Sequence, residues 1–199
     1  SYGEKLESKK PPPRSLKNEI LLKMLDGDIK AMITAHSITD ISAALRLKQE
    51  FDLDLMLDGG AEAYRLSDEL LVADVPVLLH PPMMRAGGDT RNATFESGHL
   101  LQEAGIPFAI QTGYEGYVPK TRVLIFEASI AVANGLGAED ALRAMTLTPA
   151  QLLGVADRVG SLKKGKDGDL VLFDDDPFEF TSHVCGVVIE GDLVSDRCW

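Results

Sequence analysis

Residues 55–82, LMLDGGAEAYRLSDELLVADVPVLLHPP, contain two short apolar runs on either side of a segment with helical spacing. The first run stops at Asp58 and two glycines, and the second stops at His80 and two prolines. Short apolar runs that end in turn residues are typical of buried strands. The stretch therefore predicts a strand, a helix and a second strand, which is the unit from which parallel sheets are built.

The helical segment of this unit has a predicted buried side, formed by Tyr64, Leu66, Leu70 and Leu71. The prolines after the second strand prevent a helix from starting there, so we expect a long loop through MMRAGGDTRN to about Phe95. In a barrel or an open α/β sheet, a loop at this end of a strand is where a functional site is expected.

The alternation of strand and helix extends along the chain. Apolar runs that end in polar or glycine-containing turns occupy residues 31–35, 55–57, 75–79 and 108–110. After the first of these, Ser37 and Asp40 resemble a capping box, which predicts a helix that ends near Phe51. Strands that alternate with helices at this spacing predict an α/β fold with a parallel sheet.

The last predicted strand is followed by helical patterns in residues 121–135, 138–145 and 148–154. For the last of these helices we expect Thr148 at the N-cap, Pro149 at the first helical position and Gly154 at the C-terminal stop. From residue 159 the sequence predicts β-strands, with a tight hairpin at Gly191.

These patterns divide the chain into a connecting arm (1–15), an α/β section with C-terminal helices (16–158) and a small β portion (159–199). The arm begins without methionine and contains three consecutive prolines, which resembles a connecting segment. We therefore expect the chain to be a piece of a longer polypeptide or of an assembly.

The composition restricts the class of protein. The 199 residues are 45% hydrophobic, which is enough for one moderate domain. The net charge of −11 disfavours binding to nucleic acid or to anionic membranes, and no apolar run approaches the ~18 residues of a membrane span. We expect a cytoplasmic protein in which Cys185 and Cys198 are free thiols.

The β portion carries a family resemblance. The segments TPAQLLG, RVGSLKKGKDGDLVLFDDDP and VVIEGDLV resemble, in order and spacing, the C-terminal end of the amidohydrolase superfamily, specifically its imidazolonepropionase-like branch. One departure is Gly168, where the family more often has alanine. Upstream, MITAHSITDISAALRLKQEF resembles the fifth barrel strand and its helix, LMLDGGAEAYRLSDELLVADVPVLL the sixth strand into the seventh, and AGIPFAIQTGY the eighth.

The resemblance implies the C-terminal half of a TIM-like (β/α)₈ barrel followed by part of a β-sandwich. It also implies a family chemistry, in which one or two divalent metals, typically zinc, activate a water molecule for attack on a C–N bond. The family's ligands are two histidines of the first strand, one each of the fifth and sixth, and an aspartate of the eighth. In this sequence the fifth-strand histidine matches His36, whereas the sixth-strand histidine falls on Gly59 and the aspartate on Gly113.

Since glycine has no side chain, the resemblance implies that the metal is absent or weakly bound and that this chain alone is inactive. Two alternative sites remain open. His36 with Asp58 and His80 would form a relocated metal site, or His36 is a hydrogen-bonded residue in a packed barrel mouth. Glu62 and Glu115 would act as acid and base, or they are surface groups.

Three other features are expected to have no function. His99 and His183 are interpreted as surface residues. The acidic triplet from Asp174 to Asp176 lacks the ligand spacing of a calcium loop and is interpreted as a solvated turn.

Four strands of an eight-stranded barrel leave two unpaired edges and an open apolar face. We therefore expect a partner, which is either a second copy of the chain or a complementary N-terminal amidohydrolase half. Three hypotheses for the function follow. The chain is a non-catalytic amidohydrolase-like half, a C–N hydrolase that is active only when completed, or a small-molecule binding module.

Overall fold

Four parallel strands form the larger sheet, and their order in the sheet is their order in the chain. They are β1 (Ala31–Ala35), β2 (Leu55–Gly59), β3 (Val77–Leu79) and β4 (Phe108–Ile110). The computed structural model describes residues 2–6, 12–83, 85–113 and 121–198. The predicted α/β class with a parallel sheet is confirmed, although the third strand begins at Val77 rather than at residue 75.

Helices connect the successive strands. They are α3 (Ile38–Phe51), α4 (Ser67–Val72) and α5 (Ser97–Glu103), while α1 (Tyr2–Leu6) and α2 (Leu16–Leu25) precede β1. The predicted start of α3 is confirmed, because the Ser37 hydroxyl accepts a hydrogen bond from the Asp40 amide at 3.2 Å. One of the orphan amides in the first turn of α3 is thereby satisfied beside the end of β1.

The helices cover one face of the sheet and make the core with it. Alternate strand residues, such as Leu55 and Leu57, are buried against this layer with Ile41, Leu70 and Leu101. The opposite face corresponds to the interior of a barrel. It is open at the β1 edge, where the side chain of Met32 is 60% exposed.

The predicted buried side of the second helix is partly wrong. Leu66 and Leu70 are in the core, but Leu71 is 53% exposed. Consecutive residues of a helix point about 100° apart, and with Leu70 directed into the core, Leu71 points away from the sheet. Leu66 belongs to a 3-10 turn (Ala63–Leu66) that leads into α4.

Three helices follow β4, namely α6 (Leu124–Ala133), α7 (Ala138–Met145) and α8 (Leu147–Leu152). The predicted N-cap at Thr148 is wrong, because α8 starts at Leu147, directly after the last turn of α7. Pro149 still lies in the first turn of α8, where its missing N–H has no intrahelical acceptor. Gly154 follows the end of α8 at φ +70°, as predicted for a C-terminal stop.

The β portion is a three-stranded antiparallel sheet of β5 (Leu170–Phe173), β6 (Val184–Ile189) and β7 (Asp192–Ser195). The predicted hairpin is confirmed, with Glu190 and Gly191 both at positive φ between β6 and β7. The same hairpin explains Gly168, since a Cβ there would lie 2.9 Å from the Gly191 nitrogen. Alanine at position 168 would therefore require the turn to move.

The expectation of free thiols is wrong, because Cys185 and Cys198 form a disulfide. Cys185 lies in β6, and the antiparallel return of β7 brings the following residues back alongside it. Sequence spacing could not reveal this pairing, since it depends on the hairpin between the two cysteines. Within the described residues, no helix combines the length and the apolar character that crossing a membrane requires.

Candidate functional site

The ends of the four parallel strands bring the predicted site residues to one edge of the sheet. In-register pairing places Ala35 opposite Gly59, and Gly59 opposite Leu79. His36 and His80 are the next residues after β1 and β3. Because carboxyl ends of parallel strands form the mouth of a barrel, this edge is the candidate functional site.

The imidazole of His36 lies flat against Gly59. A Cβ built on Gly59 would lie 2.5 Å from Cε1 of His36 and at most 3.0 Å from its two ring nitrogens. Gly59 also has φ +94°, a conformation that residues with side chains rarely adopt. A side chain at this position, where the resemblance places a histidine ligand, would therefore strain the backbone and require the His36 ring to move.

Gly113 is confined in a similar way. It has φ +67°, and a Cβ there would lie 2.8 Å from Cγ of Pro81. Pro81 follows β3 directly after His80, so the proline ring takes the space beside the end of the fourth strand. At both glycines a neighbouring ring lies within 3.0 Å of the Cβ position.

His80 is fully enclosed, with 1% of its surface exposed. Its Nδ1 lies 2.9 Å from the carbonyl oxygen of Pro81, and since a carbonyl only accepts, Nδ1 carries the proton of this hydrogen bond. Burial lowers the pKa of His80, and the nearby charge of His36 lowers it further, against the opposing effect of the Pro81 carbonyl. Nε2 of this neutral ring has no hydrogen-bond partner among the described residues.

Asp58 is held by its neighbours on the sheet. Thr34 donates to one carboxylate oxygen at 2.7 Å, and the Gln111 amide donates to the other at 2.7 Å. Sequence reasoning missed Thr34 and Gln111, although the two-residue periodicity of the strands places Thr34 on the same face as Asp58. Asp58 is therefore the acceptor of a cross-strand network.

Glu62 is buried, with 5% of its surface exposed, so the interpretation as a surface group is wrong. It accepts hydrogen bonds from the side chain of Asn92 and, at 2.6 Å, from the Ile38 amide at the start of α3. These two donors lower its pKa, the Asn92 side chain most strongly. Glu62 thus ties the first turn of α3 to the loop after β3, while Glu115 lies outside the described residues.

A second buried glutamate, Glu127, was missed by sequence reasoning. It is 2% exposed in α6 and accepts a hydrogen bond at 2.8 Å from the Met83 amide in the loop after β3. The signal in the sequence was a single acidic residue within the otherwise apolar run LIFEASIAVA. Such a residue needs a fixed partner when it is buried.

The residues expected to have no function differ in their surroundings. His99 is half-buried, with its ring against Gly135 and its Nε2 3.6 Å from Oε2 of Glu103. His183 is exposed, and its amide and ring face Asp174, which lowers the pKa of that carboxyl. The carboxylates of Asp175 and Asp176 accept backbone amides of their own turn, as in a solvated turn.

The residues at this mouth do not fit the metal that the family resemblance implies. Within the part of the chain that the structure describes, no group of three histidine, cysteine, aspartate or glutamate side chains could hold an ion. His36, Asp58 and His80 lie at neighbouring strand ends, but both oxygens of Asp58 already accept hydrogen bonds. The relocated three-residue site remains a prediction, and among the described residues there, Nδ1 of His36 and Nε2 of His80 have no hydrogen-bond partner.

Comparison with known proteins gives the same picture of the fold. The sequence profile of the amidohydrolase family matches residues 99–194. An imidazolonepropionase from Clostridium tetani is 24% identical over 181 residues, which are 89% of this chain and 42% of that protein. The alignment therefore extends well beyond the β portion.

Two solved structures are similar to the chain. A Thermotoga maritima amidohydrolase has a TM-score of 0.87 and 32% identity, covering 96% of this chain and 50% of that one. A Xanthomonas campestris adenosine deaminase with bound zinc has a TM-score of 0.63 and 21% identity, covering 91% of this chain and 48% of that one. The chain thus spans half or less of the length of each of these relatives, and the predicted TIM-like barrel half is confirmed.

Gly59→Ala tests the closed ligand position. We expect it to lower the free energy of unfolding by about 3 kcal/mol, as the sum of a positive-φ cost of about 1 kcal/mol and an overpacking cost of about 2 kcal/mol against His36. Gly27→Ala is the control, because Gly27 has φ +77° and no atom within 4 Å of its Cβ position. Urea unfolding should show only the positive-φ cost there.

In the Gly59→Ala background, His36→Ala should restore the overpacking part of the loss. Equal losses of unfolding free energy for Gly59→Ala and Gly27→Ala would mean that the His36 ring does not occupy the space beside Gly59.

Glu62→Gln tests the role of the buried carboxylate. Because the folded pKa of Glu62 lies below its ordinary 4.5, its charge stabilises the fold above that pH, and the contribution disappears as pH falls through the folded value. We expect the stability difference between wild type and Glu62→Gln to be largest at pH 7 and to shrink below about pH 4.5. Urea unfolding across this range measures it.

The exposed Glu69 on α4 provides the control variant Glu69→Gln, for which the stability difference from wild type should not change with pH. A difference for Glu62→Gln that stays constant with pH would contradict the assigned role of the charge.

Proposed function

Because the chain belongs to the imidazolonepropionase-like branch of the amidohydrolase superfamily, we propose that it serves as a non-catalytic half of the family's barrel. In this role it contributes a folded surface and a barrel mouth to an assembly. It does not contribute the metal-dependent hydrolysis of C–N bonds.

The contact between His36 and Gly59 carries this proposal. A ligand lost by a single substitution leaves its space behind, and another residue or a water molecule could then serve the metal. Here the His36 ring is within 3.0 Å of the Cβ position of Gly59, and the Pro81 ring within 2.8 Å of that of Gly113. These contacts support a mouth in which neighbouring rings lie at both glycines.

The acidic groups at the mouth support the same conclusion. A general base needs a lone pair directed at the reacting water. Asp58 gives its oxygens to Thr34 and Gln111, and Glu62 gives its oxygens to Asn92 and the Ile38 amide. Both carboxylates are therefore held in place by structural hydrogen bonds.

Hydrolysis assays on the protein purified from its source, with any polypeptide that accompanies it, test the proposal. We expect no turnover of a panel of N-acyl and cyclic amide substrates with added Zn²⁺ or Mn²⁺, beyond that of a His36→Gln variant. The variant is the matched control because it removes the one family ligand present in this chain while keeping a polar side chain there.

Turnover that is lost in His36→Gln would contradict the proposal and favour a hydrolase completed by a second half. Thermal-shift screening of small amides separates the remaining alternative. A compound that raises the melting temperature without being hydrolysed would favour a binding module.

We further propose that the open side of the sheet is covered by a polypeptide that carries the complementary four βα units. The similarity covers 96% of this chain but 50% of the Thermotoga structure, so an equal length of that barrel protein lies outside the match. Met32, which is 60% exposed on the barrel face of β1, lies where such units would pack, and Leu16 and Ile20 are further exposed apolar residues on α2. A second copy of the chain is an alternative outcome of the test.

Met32→Lys should weaken this association, because a charge on the barrel face would be buried against the partner. We expect about tenfold weaker assembly in native mass spectrometry of the co-purified complex. Val72→Lys is the control, since Val72 is 89% exposed on α4, on the opposite layer. A complex that tolerates Met32→Lys as well as Val72→Lys would exclude the barrel face, and a complex of identical chains would identify the second copy.

A further inference from the structure

The loop that connects β3 to α5 surrounds a cavity of about 420 Å³, a volume within the range of small-molecule sites. Its described lining residues come from the two ends of the loop, with Pro82, Met83 and Arg85 at the start and Ala93, Thr94 and Phe95 at the end. The site residues predicted at the strand ends are not among these lining residues. The cavity is therefore distinct from the strand-end positions where the family resemblance implies metal ligands.

Buried carboxylates hold both ends of this loop. At the start, Glu127 of α6 accepts the Met83 amide at 2.8 Å. At the end, Glu62 accepts the side chain of Asn92, and the Tyr64 hydroxyl donates to the Asn92 carbonyl at 3.2 Å. The two ends of the loop are thus anchored to different elements of the fold. Such anchoring favours a preformed cavity, which lowers the entropic cost of binding a ligand.

Most of the described lining is apolar and remains in contact with solvent. Met83 is 54% exposed and Phe95 is 52% exposed, although both are large hydrophobic side chains. An exposed apolar surface inside a concave site is typical of ligand-binding cavities. The apolar part of a ligand would therefore gain by displacing water from these walls.

Arg85 is the charged residue among the described lining residues, and it has no counter-ion there. The ion pairs of arginine in the part of the chain that the structure describes are those of Arg14, Arg65, Arg143 and Arg158. The net charge of the chain is −11, so acidic partners for an arginine are abundant elsewhere on the protein. An arginine without such a partner beside an apolar cavity indicates a ligand that is itself an anion.

We propose that this cavity binds a small organic carboxylate with an apolar body. The carboxylate pairs with the guanidinium of Arg85, because two parallel N–H groups match its two oxygens. The apolar body lies against Met83 and Phe95. A phosphate dianion fits less well, since a single guanidinium would balance half of its charge and the remaining lining offers it one hydroxyl, that of Thr94.

This binding site does not depend on the proposed non-catalytic role. A carboxylate held by Arg85 undergoes no bond cleavage and needs no general base. Turnover in the hydrolysis assays would leave the lining of this cavity unchanged, and failure of carboxylate binding would leave the contacts at Gly59 and Gly113 unchanged. The two conclusions can therefore fail separately.

Calorimetric titration of the full chain at neutral pH tests the site with four carboxylates, namely hexanoate, octanoate, phenylacetate and 3-phenylpropionate. We expect at least one of them to bind at one site per chain. The matched control compounds are the corresponding neutral amide, which lacks the charge, and acetate, which lacks the apolar body. Each control should bind about tenfold more weakly or worse, because a hydrogen bond to a charged group and a buried apolar body each contribute at least that factor.

Arg85→Gln and Arg91→Gln form a matched pair of variants. Both remove one positive charge from the same loop, but Arg91 is not among the described lining residues and its charge acts on Glu62. We expect about tenfold weaker carboxylate binding in Arg85→Gln and less than about twofold in Arg91→Gln, where only screened electrostatics change. Arg85→Lys, which keeps the charge but loses the paired N–H groups, should give an intermediate loss.

Nuclear Overhauser contacts between the ligand and the Phe95 ring provide a second readout, because they locate the ligand without any variant. Such contacts, together with selective loss of binding in Arg85→Gln, would support the site. Absence of binding by all four carboxylates, equal binding of the neutral amide, or equal losses in Arg85→Gln and Arg91→Gln would overturn it. Inorganic phosphate that binds as tightly as the carboxylates would overturn the assigned ligand class, since it would indicate a simple anion site.

Discussion

Parallel pairing of β1 to β4 is the constraint on which the rest of the molecule depends. In-register pairing brings the residues after β1, β2 and β3 to a single edge, although they are separated by long helical connections in the sequence. It also divides the sheet into a face that packs on helices and a face that belongs inside a barrel. The chemistry available at the mouth, and the open side that needs cover, both follow from this pairing.

The sequence predicted features that are determined locally. Ser37 caps α3 because a serine directly before a helical segment favours the N-cap position, where its hydroxyl accepts a backbone amide. The Glu190-Gly191 hairpin follows from the backbone freedom of glycine. Prediction from the sequence failed where contacts with residues far apart in the chain determine the local structure. Thr148 has good cap chemistry, yet α7 runs directly into α8 and leaves no room for a cap there.

At the candidate site, too, local features were predicted and features that depend on contacts in space were missed. The family resemblance was enough to identify Gly59 and Gly113 as glycines at positions where it implies metal ligands. It could not reveal that the rings of His36 and Pro81 occupy their space, because that depends on ring orientation in the folded chain. Likewise, the burial of Glu62 depends on Asn92, which approaches from a loop thirty positions further along the chain.

The open edge of β1 and the acidic composition together determine the colloidal behaviour of the isolated chain. An uncovered strand edge beside an exposed apolar face favours contact between molecules. A net charge of −11 opposes that contact by mutual repulsion. Salt screens this repulsion beyond about 10 Å at 0.1 M but does not weaken hydrophobic attraction. Rising ionic strength should therefore promote clustering of the unpartnered chain, which makes dilute, low-salt buffers the appropriate medium for handling it.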